Sequence, residues 1–223
     1  MPIIRELQLP HAHLCLWHIT EPPSFFLDRL YLDADDLLSM QQITVASKML
    51  EFLASRYALR YLINLDEEQH LLKDEHGRPT VHNLSKHVSL SHCRGFAAAI
   101  IANTHCGIDV EPIDDKVCRI APRFLSEREH QMLQPGHEVQ QMILAWSAKE
   151  AVYKAYGKKG VAFKDPIMIN ALPSTDQGHF TVRLQLSNLS KQYAIGFERL
   201  NGLYWTWSIE SNEPPTLVPQ LDS

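Results

Sequence analysis

Two long helical stretches set among clusters of short strands constrain this chain's fold more than any other feature of its sequence. From about Ser39 to Leu65, Met49, Leu50, Leu53, Tyr57 and Tyr61 recur at helical spacing and predict the first helix. Glu138 to Tyr156 predicts the second, with Val139, Met142, Ile143, Trp146 and Tyr153 on one stripe and Gly157 placed to cap its C-terminus. Between them, Asp74–Pro79 is a turn, and His87–His92 and Phe96–Asn103 are strands about the turn Cys93-Arg94-Gly95. Gly107–Ile113 alternates, Ile108 and Val110 on one face and Asp109 and Glu111 on the other, until Pro112 limits pairing. Ser126 and Glu129 have the spacing of a capping box. Past the second helix, Phe180, Val182, Leu184 and Leu186 alternate, and Asn201-Gly202 joins Tyr193–Leu200 to Leu203–Glu210 as a hairpin. The Pro-rich tail, 212–223, reads as a loose appendage.

A chain of 223 residues, 45% hydrophobic, can bury a core without staples. Its formal charge of −5 argues against a globally basic, nucleic-acid-binding surface, so an anionic ligand must find a local positive patch. Cys15, Cys93, Cys106 and Cys118 form no CxxC pair or zinc-ribbon spacing, which suits reduced thiols and argues against thiolate metal binding. The N-terminus lacks the pattern of a signal peptide. The apolar run Phe96–Ala102 is far short of the roughly 20 residues a membrane helix needs. A cytoplasmic protein without membrane partners is the expectation.

Three features carry possible chemistry. In a strand, Asp109 and Glu111 project from one face about 6.6 Å apart, close enough to share a hard cation; a solvated acidic face is the bland alternative. Glu150 falls near the centre of the second helix's apolar stripe, where a carboxylate needs a cation or strong donors to stay ionised; a buried Lys or Arg partner would serve as well as a metal. From Ala148 to Lys164, lysines 149, 154, 158, 159 and 164 face one acid, a local charge of +4 that suits a phosphate and equally suits a solvated basic loop. Three acids beside lysines suggest Mg²⁺ with a phosphorylated substrate, although neither a Walker A motif nor GxGxxG is present. Arg56 and Arg60, four apart, lie on one side of the first helix and could grip one anion, or could be a surface pair. His11, His13 and His18 lack a spaced carboxylate or cysteine partner for a metal cluster. Within Ser91-His92-Cys93, strand neighbours point to opposite faces, so His92 could hardly activate either one.

The ordered set Gly77-Arg78-Pro79, Leu90-Ser91-His92, Gly107-Ile108-Asp109-Val110-Glu111, Arg123-Phe124-Leu125-Ser126 with Glu129, and Trp146-Ser147-Ala148-Lys149-Glu150-Ala151 with Lys154 resembles the 4′-phosphopantetheinyl transferases of the surfactin-synthetase-activating type. The resemblance runs from about Ser47 to Lys164. It implies an α+β fold of two pseudo-twofold-related halves, each a small antiparallel sheet packed with a long helix. Residues 1–104 would form the coenzyme A nucleotide side, 105–211 the metal and lysine side, and 212–223 the tail. The implied activity is Mg²⁺-dependent transfer of the phosphopantetheine arm of coenzyme A to a serine of an apo acyl or peptidyl carrier protein, releasing adenosine 3′,5′-bisphosphate. Asp109, Glu111 and Glu150 would be the Mg²⁺ ligands. Ser91 and His92 would meet the coenzyme A phosphates, His92 at the 3′-phosphate with help from Arg56, and Arg60 and Lys158 are further candidates for binding coenzyme A. Arg78 would sit near the adenine and phosphate end, and Lys154 at the diphosphate. Glu150 is expected to be the general base, with Glu111 its rival, and Lys154 to steady the leaving group. Cys93 stands where a serine is often found, and the N-terminal third matches poorly. The resemblance also implies a monomer. A coenzyme A-binding module without turnover and a Mg²⁺-dependent diphosphate hydrolase are the alternatives.

Overall fold

The computed structural model describes residues 3–63 and 71–211; Leu65 and the tail 212–223 lie outside them. In chain order the elements are β1 (Ile3–Leu9), β2 (Ala12–His18), α1 (Pro23–Leu27), α2 (Ala34–Gln41), α3 (Ala46–Ile63), β3 (Leu71–Lys73), β4 (Pro79–Val81), β5 (His87–Cys93), β6 (Phe96–Ala102) and β7 (Cys106–Pro112). They continue with α4 (Val117–Phe124), α5 (Glu127–His130), α6 (Glu138–Tyr156), β8 (Ile167–Ile169), β9 (Gln177–Leu186), β10 (Leu189–Leu200) and β11 (Leu203–Ser211). The fold is mixed α and β with antiparallel sheets: β1-β2-β6-β5, β7-β11-β10-β9-β8 and the small pair β3-β4.

The expected first helix is two helices. The β-branched run Ile43-Thr44-Val45 resists helix at the point where α2 ends and α3 begins. The buried face of α3 also differs from the expected stripe: Phe52, Leu53, Ala54, Ala58 and Leu59 are buried, while Tyr61 is exposed. The β1–β2 hairpin and α1 were not legible, because β2 is buried on both faces and so lacks alternation. Its Ala12, Leu14 and Leu16 face the second sheet, while Cys15 and Trp17 face α3 and its neighbours. By contrast α6 spans the expected residues, with Gly157 at φ +74 as its cap, and the Ser126–Glu129 capping box forms in full. Asn201 and Gly202 both take positive φ in the tight turn between β10 and β11.

Four layers result: α3, the first sheet, the second sheet, then α6. Ala98, Ile100 and the β2 residues pack against Ile108, Val110, Trp205 and Trp207. On the far side of the second sheet α6 crosses β7 at Gly107, where a Cβ would stand 1.8 Å from the Ala151 carbonyl oxygen. Only glycine permits that approach. Ser208 secures the crossing by donating to the same oxygen at 2.8 Å. The sheets also meet at their edges. There β5 and β7 are joined by side chains: the Ile108 and Val110 N–H groups donate to the Ser89 and Ser91 hydroxyls, each at 3.2 Å.

Candidate active site

Because both faces of β7 are covered, the alternation of Asp109 and Glu111 points them toward α6 and not toward solvent. Asp109 is buried. Its Oδ1 accepts from Lys154 Nζ at 2.8 Å and Ser91 Oγ at 3.0 Å, and its Oδ2 accepts from Ser147 Oγ at 2.9 Å. Lys154 reaches down from α6 and also donates to Ser91 Oγ at 3.1 Å and to the Ile108 carbonyl at 3.0 Å. Two residues along β7, Glu111 accepts from the Trp146 indole at 3.0 Å. Burial first, and then the charge of Asp109, push the Glu111 carboxyl up to about 7. Burial likewise raises Glu150, with Asp109 adding to the rise. Glu150 makes no hydrogen bond or ion pair with any other described residue.

The three acids therefore sense one another, but among the described residues no three His, Cys, Asp or Glu side chains are gathered closely enough to hold a metal ion. The donor chemistry nevertheless fits a hard divalent cation. All three groups are carboxylates, and burial with the nearby Asp109 raises Glu111 and Glu150 despite Lys154, the condition a divalent cation would relieve.

Glu150 is not the buried charge of α6. That charge is Lys149, 0% exposed, whose Nζ donates to the 2%-exposed Glu129 at 2.8 Å and to the carbonyls of Phe124 and Phe163 at 2.8 and 2.9 Å. The helix is buried on most sides, through Met142 and Ile143 of the expected stripe and also Leu144, Ala145, Ala148, Ala151, Val152 and Ala155, so the buried face is wider than the stripe centred on Glu150. Lys149 accordingly leaves the basic patch and ties α5 to the loop after α6.

Beside the seam lies a cleft of about 340 Å³ that brings together Arg56, Arg78, His92, Lys154 and Lys158 from the expected set. Lys73, His76 and Lys159 line it too, as do Asp35 and Asp36. Arg56 packs over the Phe52 ring and pairs with buried Asp36 at 2.7 Å, leaving its buried Nε without a partner among the described residues. Arg78 follows a turn in which Asp74 Oδ1 accepts the His76 and Arg78 N–H groups. Its guanidinium contacts His105 Nδ1 at 2.8 Å, and a Cβ on Gly157 would come within 2.8 Å of its side chain. His92 Nδ1 lies 3.2 Å from Glu51.

Two expected residues stand apart from the cleft. Arg60 sits over the Tyr31 ring, 5.0 Å from its centroid, and does not line the cleft but an adjoining small cavity that Arg56 and Asp36 line too. Ser91 is buried and used at the seam. Its neighbour Ser89 lines the cleft. Sequence reasoning missed Glu51, Asp36, Ser147 and His105, whose partners His92, Arg56, Asp109 and Arg78 are 20 to 41 positions away and carry no local signal. All four cysteines are free thiols, Cys15 and Cys106 buried and Cys118 exposed. No helix among the described residues is long and apolar enough to cross a membrane.

Residues 105–204 match the model of the 4′-phosphopantetheinyl transferase superfamily. Over this segment the chain is similar to that superfamily. The segment runs from the start of β7 to the start of β11, and so contains Asp109, Glu111, Glu150 and Lys154. The chain is 33% identical over 112 residues to 4′-phosphopantetheinyl transferase gsp of Aneurinibacillus migulanus, covering 48% of this chain and 46% of that protein. It is 36% identical over 75 residues to enterobactin synthase component D of Salmonella typhi, and 37% over 75 to that of Salmonella typhimurium strain LT2, 32% of either chain in both comparisons. The chain thus matches about half the length of the first of these relatives and about a third of the other two.

Proposed function

We propose that this protein is a 4′-phosphopantetheinyl transferase that moves the phosphopantetheine arm of coenzyme A onto a serine of an apo acyl or peptidyl carrier protein. The observation that carries this reading is the meeting of a cationic cleft with a carboxylate group at one seam, Lys154 belonging to both. Arg56, Arg78, His92 and Lys158 would hold the nucleotide and its phosphates. Asp109, Glu111 and Glu150 would hold Mg²⁺, which when bound neutralises diphosphate charge. The two-halved division at 104/105 and its pseudo-twofold are part of the same proposal, supported by one sheet and one long helix on either side of that point.

The chain's own groups divide the labour. The acceptor serine gives its proton to a carboxylate as its oxygen bonds to the phosphorus bearing the pantetheine arm. The phosphorus–oxygen bond to adenosine 3′,5′-bisphosphate breaks, and Lys154 steadies the charge that grows on the leaving group. Glu150 and Glu111 are the candidate bases. Glu150 makes no hydrogen bond among the described residues, and burial raises both carboxyls in the free site; whichever of the two holds Mg²⁺ less directly keeps the greater basicity.

The test is to incubate the protein with coenzyme A, Mg²⁺ and several apo carrier proteins and to weigh the carriers by mass spectrometry. One added phosphopantetheine on the serine is expected. No adduct on any carrier, with coenzyme A still bound, would leave the binding module without turnover; release of adenosine 3′,5′-bisphosphate without an adduct would mark a hydrolase.

A further inference from the structure

We propose that Glu51, on α3, is a positioning residue of the cleft: it fixes His92 in the tautomer with a proton on Nδ1 and stabilises the imidazolium that forms when a phosphoryl group binds at Nε2. This deepens the proposed function and rests on the reading of His92 as a phosphate contact.

Glu51 is 3% exposed, and three donors converge on it. Lys48 Nζ donates to Oε2 at 2.7 Å, the Gly95 N–H donates to Oε1 at 3.2 Å, and His92 Nδ1 stands 3.2 Å from Oε2. Burial alone would raise the carboxyl, but these donors outweigh it and hold Glu51 below the usual carboxylate range. An ionised carboxylate can only accept, so His92 must carry its hydrogen on Nδ1. That leaves Nε2, which has no partner among the described residues, as the ring nitrogen open to a ligand in a side chain that lines the cleft.

The charged groups facing the ring are Glu51 and Lys48 from α3 and Lys154 from α6. Burial lowers His92, and both lysines act in the same direction against Glu51, so the free ring is neutral at pH 7. A phosphoryl dianion arriving at Nε2 supplies the missing negative charge. The ring then takes up one proton from solvent and becomes a two-armed donor, Nε2–H to the phosphoryl oxygen and Nδ1–H to Glu51. Without the Glu51 charge the imidazolium is harder to form. Affinity at pH 7 then falls about tenfold for each unit by which the complexed ring's pKa drops while it remains above 7.

The test combines ¹⁵N NMR of the wild-type His92 ring with calorimetric titration of coenzyme A and 3′-dephospho-coenzyme A from pH 5.5 to 8.5. Wild type, Glu51→Gln and His92→Gln are compared. The expected results are an Nδ1–H tautomer in the free protein, proton uptake on binding coenzyme A, and weaker binding as pH rises. Glu51→Gln should bind roughly tenfold more weakly at pH 7, with proton uptake moved to lower pH; His92→Gln should lose that proton uptake and keep only the pH dependence of the ligand phosphate and the nearby carboxylates. The two ligands separate contact at the 3′-phosphate from contact at the diphosphate. An Nε2–H tautomer in the wild type overturns the role of Glu51. So does a Glu51→Gln profile like wild type while His92→Gln is impaired, and that result leaves His92 as a phosphate contact. If His92→Gln binds coenzyme A as wild type does, the reading of His92 falls and the role of Glu51 with it. Should Glu51→Gln fail to fold, the wild-type tautomer decides.

Discussion

Lys149 and Glu150 are adjacent in sequence and opposite in circumstance. Helical geometry turns neighbours about 100° apart, so the lysine enters the interior to meet Glu129 while the glutamate stands at the seam near Asp109 and Glu111. Replacing one partner of a buried pair strands the other charge. Lys149→Met should therefore cost on the order of 3–5 kcal/mol in urea unfolding, and pairing it with Glu129→Leu should return a large part of that loss. If Lys149→Met is as stable as wild type, the pair is not a structural tie. Glu150→Gln keeps size and shape at a site with no hydrogen bond to lose, so the fold should survive and carrier modification should be abolished. A variant that retains transfer would remove Glu150 from both the base and ligand roles.

At the scale of elements, the site exists because β7 is pinned from two directions. Gly107 lets α6 sit directly on its backbone, which brings Ser147 and Lys154 to Asp109. At its edge β7 borrows hydroxyls from β5 in place of a backbone ladder. Ser89→Ala would leave the buried Ile108 N–H without its acceptor and should destabilise the protein by about 1–3 kcal/mol, read as a lower urea midpoint. Since Ser89 makes no bond to the carboxylates, carrier modification should persist at permissive temperature. An unchanged midpoint would show that the seam does not depend on that hydroxyl. The long helix α6 was legible from its periodicity and glycine cap, and the β10–β11 hairpin from Asn201-Gly202. The first sheet's opening hairpin was not, because strands covered on both faces lose the alternation by which strands are recognised.

For the molecule as a whole, the junction between the sheets carries a pH response. The His87 and His105 rings lie 4.2 Å apart, with Arg78 against His105. Burial lowers both imidazoles; His105 and then Arg78 lower His87 further, and Arg78 lowers His105 further. A depressed histidine is protonated in the unfolded chain before it is protonated in the folded one. Stability is therefore full above the ordinary value near 6.5 and falls as pH drops through it toward the folded values. The drop in urea midpoint between pH 7.5 and 5.5 should be smaller for His105→Gln than for wild type; an equal drop would assign the acid sensitivity to other groups. Comparing the two proteins cancels the carboxylates they share.

The sequence by itself determined the helices with clean periodicity and caps, the tight turns, the free thiols, and the order of motifs by which the chain resembles the 4′-phosphopantetheinyl transferases. It also placed Asp109, Glu111, Glu150 and Lys154 in one segment, because those residues lie on two elements whose register is local. Tertiary structure alone decided which charge α6 buries, that Ser91 serves the seam, that Arg60 leaves the cleft, and that Glu51 stands behind His92. The physical reason is the same in every case. Periodicity reports which residues share a face of one element, whereas burial and pairing depend on what other elements bring to that face from tens of residues away.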